Sequence, residues 1–109
     1  MIAPERRPTK TQAFYRNEVV VVILQDAMTT PERTLAAAGK GEAVLATRRA
    51  LEEVIRPDLV STVEQLTGRK VIASMSAHNL EPDIAAEVFV LDRPVTAAAE
   101  GHQEGRRDA

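Results

Sequence analysis

The chain contains no cysteine and no tryptophan, and its aromatic side chains are Phe14, Tyr15 and Phe89. Without cysteine there is no disulfide, no thiolate nucleophile and no thiolate-bound zinc. A basic surplus is also missing. The formal net charge is -2 over 109 residues, and a protein that neutralises many phosphates needs a clear positive excess. A general nucleic-acid binder is therefore excluded. The longest unbroken apolar run is Val19 to Leu24, far short of the roughly 20 residues of a membrane-spanning helix. The first eight residues, Met1 to Pro8, hold no apolar stretch of the signal-peptide kind. No G-x-x-x-x-G-K phosphate loop occurs, and nothing in the composition implies a metal or a cofactor. The expectation is one small cytoplasmic domain that does not insert into a membrane.

Residues 1–10 carry Pro4, Pro8 and four charges and read as an extended basic lead-in. Residues 94–109 open on Pro94 and then hold alanine, glycine and charge, the composition of a disordered tail. The folded domain is expected over 11–93. Thr11–Tyr15 and Val19–Leu24 read as a hairpin, turned at Arg16-Asn17-Glu18. Thr29 and Glu32 have capping-box spacing, with Pro31 in the first turn, and start a short helix to about Ala38. Gly39-Lys40-Gly41 interrupts it. A longer helix follows over about 42–67, with an apolar stripe of Val44, Leu51, Ile55, Leu59, Val63 and Leu66. Pro57 should kink it without breaking the stripe, and Gly68 should end it. Lys70–Ser76 and Ile84–Leu91 read as a second hairpin, with residues 77–83 as its loop. The predicted fold is α+β, in the order ββαββ. It is a four-stranded, mainly antiparallel sheet with the long kinked helix and the short preceding one on a single face.

That layout carries a mismatch. A sheet with one helical layer should alternate apolar and polar side chains. Here Val20, Val22 and Leu24 alternate with Val19, Val21 and Ile23, and Val88 and Val90 alternate with Phe89 and Leu91. Leaving Val19, Val21, Ile23, Phe89 and Leu91 in water forgoes on the order of 10 kcal/mol, the size of a whole domain's stability. These five residues are therefore expected to form an interaction surface, covered by a second copy of the chain in a homodimer or by a partner protein. The alternative cover is the short helix, crossing over to the second face.

Few residues suggest chemistry. Ser74, Ser76, His78, Glu81 and Asp83 cluster within ten positions. A nucleophile–base–acid line, with Ser76, His78 and Asp83 in those roles, or a metal site is one reading, and a polar hairpin loop is the other. Groups so close in sequence seldom form the needed geometry, so a hydrolase is not expected. Arg48 lies on the apolar stripe and needs a partner, for which Glu87 and Glu32 are the candidates, or else an anion. Gly68-Arg69-Lys70 places two cations at a helix C-terminus, where positive charge is favourable. Arg48 and Arg69 are thus the candidate ligand or anion contacts.

An ordered series of segments resembles a family of small bacterial proteins, the MpsC-like family. The series runs through Arg7-Pro8-Thr9-Lys10, Val19 to Leu24, Met28-Thr29 with Glu32-Arg33-Thr34-Leu35, Gly39, and Val44 to Arg48. It closes with Val63 to Val71, Ser76 and Glu87 to Leu91. Two places depart from the family pattern: Arg6 stands where a glycine is usual, and Pro31 falls one position late. Family members also carry a helix before the Pro-Thr-Lys segment, which has no counterpart here; truncation or exchange between subunits would account for it. The resemblance implies a non-enzymatic accessory or regulatory role, peripheral to a membrane cation or inorganic-carbon transport system, with a transport protein as partner. The reading from the residues themselves leaves open a small-ligand or anion-binding module using Arg48 and Arg69.

Overall fold

A computed structural model describes residues 10–95. Two strands come first, β1 (Lys10–Arg16) and β2 (Val19–Gln25). They are joined by a two-residue turn in which Asn17 takes a left-handed φ of 55°, a conformation asparagine tolerates better than most residues. Two helices follow, α1 (Thr30–Ala37) and α2 (Gly41–Thr67), and then a second hairpin, β3 (Val71–Asn79) and β4 (Ile84–Leu91). All neighbouring strands are antiparallel, in the order β1-β2-β4-β3. This is the α+β arrangement that the sequence predicts.

The helix boundaries follow from their caps. Thr29 and Glu32 form the reciprocal capping box: the Glu32 N–H donates to Thr29 Oγ1 at 3.2 Å and the Thr29 N–H to Glu32 Oε1 at 2.8 Å. Gly68 closes α2 in the left-handed region at φ 72°, donating to the Glu64 carbonyl at 2.8 Å. The helix runs through Pro57 as one element. The start of α1 is tied to the second hairpin by Asp83, whose carboxylate accepts from the Met28 N–H at 2.8 Å and from Arg33 at 3.4 Å.

The strand register sorts the side chains into two faces. Tyr15, Val20, Phe89 and Ser74 form one cross-strand row. Ala13, Val22, Glu87 and Ser76 form the next, followed by Thr11, Leu24, Ala85 and His78. These rows lie under α2, and Phe89, Ala85, Leu91 and Val44 are buried there. The opposite face holds the rows Arg16, Val19, Val90, Ala73; Phe14, Val21, Val88, Met75; and Gln12, Ile23, Ala86, Ala77. Among the described residues no element covers it. Phe14 and Met75, its two outer large side chains, are about half exposed, at 52% and 51%.

Four expectations need correction. Phe89 and Leu91 do not belong to the uncovered face: antiparallel pairing sets Phe89 opposite Val20, so both are core residues, and Val88 and Val90 join Val19, Val21 and Ile23 instead. The apolar stripe of α2 is only in part its buried face: Val44 is buried and Leu59 and Val63 are half-buried, but Leu51, Ile55 and Leu66 are exposed while Glu52 is buried. His78 lies on a strand and not in a loop, because β3 extends to Asn79. Finally, residues 94 and 95 are not tail. Val95 is buried, and its N–H donates to the Asn17 carbonyl at 3.1 Å. Residues 1–9 of the lead-in and 96–109 of the tail lie outside the described residues.

Candidate functional site

The α2 residues Arg48, Glu52 and Arg56 are spaced four apart, which sets them one above another on a helix. In this structure that row turns toward the sheet. Strand β3 mirrors it: Ser74, Ser76 and His78 alternate on the helix-facing side, while Ala73, Met75 and Ala77 face the other way. The layer between α2 and β3 is therefore polar, and large apolar groups of the same elements (Leu51, Val54, Leu66, Met75) are exposed.

Each arginine of the row is engaged. Arg48 Nη2 donates to Glu32 Oε1 at 2.8 Å and to the Ala27 carbonyl at 3.2 Å. Of its two candidate partners the structure thus selects Glu32. Burial disfavours the Glu32 carboxylate, but the hydrogen bonds from Arg48 and Thr29 outweigh it and hold its pKa below the ordinary value. Arg56 Nη1 donates to Ser74 Oγ at 2.9 Å.

Glu52, between the two arginines, is left without a cation. Its side chain is only 7% exposed, and its Oε2 has no hydrogen-bond donor. His78 Nε2 lies 3.7 Å from Glu52 Oε1, too far for a hydrogen bond, and neither ring nitrogen has a hydrogen-bond partner. Burial, reinforced by the Arg48 charge, lowers the His78 pKa despite the opposing Glu52 carboxylate. The imidazole is accordingly neutral at neutral pH and cannot compensate Glu52.

The other neighbour of Glu52 is Glu87. Ser76 Oγ donates to Glu87 Oε1 at 2.6 Å. Burial pushes the Glu87 carboxyl up to about 7, the Glu52 carboxylate adds to the rise, and the Ser76 hydrogen bond and the Arg56 charge work against it. Two neighbouring acids in a poorly hydrated place cannot both ionise cheaply, and a proton on Glu87 relieves the repulsion. Glu52, Glu87 and His78 line a cavity of about 290 Å³, together with the Glu32–Arg48 pair and the apolar side chains Leu24, Leu51, Ile55 and Ala85.

The structure separates most of the residues singled out in the sequence. Ser76, His78 and Asp83 make no hydrogen-bonded line: Ser76 bonds Glu87, His78 faces Glu52, and Asp83 holds the start of α1. Arg69 lies beyond the far end of α2, where Nε donates to the Pro94 carbonyl at 2.8 Å and Nη1 to the Gly68 carbonyl at 3.1 Å. About 30 Å of helix separates it from Arg48, so the two do not form one site. Thr29, Glu32 and Gly68 have the capping roles expected of them. Glu52 was missed. Its signal was the Arg48–Glu52–Arg56 spacing set against the Ser74–Ser76–His78 alternation, two polar rows that need each other to be buried.

Among the described residues no helix is long and apolar enough to cross a membrane. No curated protein and no solved structure matches the chain. One family profile does, described as the Na+-translocating membrane potential-generating system (MpsC), over residues 4–93. Since the match spans most of the 109 residues and runs through every element described above, the chain belongs to the MpsC family.

Proposed function

We propose that this MpsC domain is a non-enzymatic accessory component that works by protein–protein contact. It acts beside a membrane cation or inorganic-carbon transport system and pairs with a second copy of itself through the uncovered sheet face. The observation that carries the reading is the row Phe14, Val21, Val88 and Met75, flanked by Val19, Val90, Ile23 and Ala86, with no charged side chain among them. A contiguous apolar patch of this kind is the mark of an interaction site. The charged side chains of this face, Lys10 and Arg16, stand on the edge strand β1, and the neutral middle favours a like partner, since two such patches meet without burying an unpaired charge. The family's description supports the setting beside a translocating system.

Light scattering across a concentration series tests the reading. The expected result is a dimer that Val21→Glu converts to a monomer with unchanged circular dichroism. A wild-type chain that stays monomeric at every concentration refutes it.

A further inference from the structure

The polar layer under α2 poses a separate question, independent of the sheet face. A buried carboxylate oxygen without a donor, such as Glu52 Oε2, is costly unless something compensates it. Glu52 has Arg48 four residues before it and Arg56 four after, yet Arg48 is held by Glu32 and Arg56 by Ser74. Its neighbours at the cavity wall are Glu87 and a His78 whose ring nitrogens are unpartnered. The wall thus offers the acceptors Glu52 Oε2, the Glu87 carboxyl and the lone pair of a neutral imidazole, beside two unpartnered donors, Arg48 Nε and the imidazole N–H. Charge leans the same way. Glu32 and Arg48 cancel at 2.8 Å, and the remaining ionisable lining is two glutamates and the neutral His78. Among the described residues no group of three or more His, Asp or Glu side chains is arranged to hold a metal ion.

We infer that this cavity binds a small primary ammonium ion, with the –NH₃⁺ group on Glu52, Glu87 and His78 and a short hydrocarbon part against Leu24, Leu51 and Ile55. An ammonium group offers three N–H donors and a positive charge, which matches three acceptors and one uncompensated negative charge. The volume of about 290 Å³ is roughly ten times the ~30 Å³ share of one water molecule, enough for a ligand of several heavy atoms. The mixed lining, apolar with a few convergent polar groups, is that of a small-molecule site.

Binding has a proton balance. Below about pH 7 the Glu87 carboxyl holds a proton, and the incoming cation takes its place, so one proton leaves for the solvent. Above that range the proton is already gone. The charged and titratable groups around the pair are Glu32 on α1, Arg48, Arg49 and Arg56 on α2, and His78 on β3.

The test is titration calorimetry of the whole chain with n-propylammonium chloride. Tetramethylammonium chloride and sodium chloride at equal ionic strength serve as controls. The expected result is saturable heat with propylammonium alone, release of close to one proton at pH 6 when two buffers of different ionisation enthalpy are compared, and release near zero at pH 8.5. Glu52→Gln and Glu87→Gln should each weaken binding at least tenfold while the circular dichroism spectrum is kept. No saturable heat at pH 8.5 would sink the inference. So would equal heat from tetramethylammonium or sodium, or undiminished binding in both folded variants.

Discussion

Arg48 on α2 and Glu32 in the first turn of α1 meet at 2.8 Å, and the same carboxylate accepts the N–H of Thr29 through its other hydrogen bond. One acidic side chain thus caps its own helix and fastens the next one to it. Both partners are largely shielded from water, with side chains 16% and 20% exposed, so the pair contributes more than a surface ion pair does. Arg48→Ala should cost about 2 kcal/mol in urea unfolding. It should also alter the acid side of the stability curve. The Glu32 pKa is depressed in the fold, so its contribution is present above the unfolded value and lost as pH falls through the folded one. In Arg48→Ala that acid-side loss should shrink. An unchanged acid limb would show that the bond to Thr29 alone sets the Glu32 pKa.

Phe89 and Val88 are chain neighbours on opposite faces of β4. Phe89→Ala should destabilise the chain by about 3 to 4 kcal/mol through a core cavity, seen as a lower denaturation midpoint. Val88→Ala should cost less than about 1 kcal/mol but raise the concentration at which dimers form. If the two variants behave alike in both measurements, the division into faces is wrong.

Glu87 gives a pH dependence of the opposite sign to that of Glu32. Its folded pKa, about 7, is above its unfolded value. Stability from this group is therefore greatest at low pH and declines as pH rises from the ordinary carboxylate range through 7. His78, whose folded pKa is lowered, acts oppositely and loses stability as pH falls through its unfolded value. The two are separable by difference. Wild-type stability minus that of Glu87→Gln should fall between about pH 5 and pH 8. A flat difference across that interval contradicts the assignment.

The caps set a smaller scale. Thr29→Ala should cost about 1 kcal/mol. Gly68→Ala should cost about 1 to 2 kcal/mol, because a Cβ is unfavourable at φ 72°. Nothing lies within 4 Å of an added Cβ there, so backbone strain alone is measured. Chemical denaturation checks both.

Local rules carried most of the fold. The capping box, the glycine stop and the asparagine turn each act within a few residues, and each falls where the sequence places it. The faces were harder. Alternation in β2 is apolar on both sides, so nothing within that strand says which set meets the helix; the register with β4 decides it, and that is a long-range fact. On α2 the assumption that apolar residues point inward held for Val44 and failed for Leu51, Ile55 and Leu66. The inward row is Arg48, Glu52 and Arg56, made acceptable by Ser74, Ser76, Glu87 and Glu32 from other elements. No single-helix periodicity reveals partners contributed by a strand some twenty residues away.

The inward-facing polar row bears on engineering. Groups of this sort are often replaceable by apolar ones of like volume with a gain in robustness, so Glu52→Met combined with Glu87→Leu should yield a sturdier molecule with a dry seam where the acids had been. A design procedure that rewards melting temperature alone would choose that change early. It would erase the only place in the described chain where acids, imidazole and open volume converge.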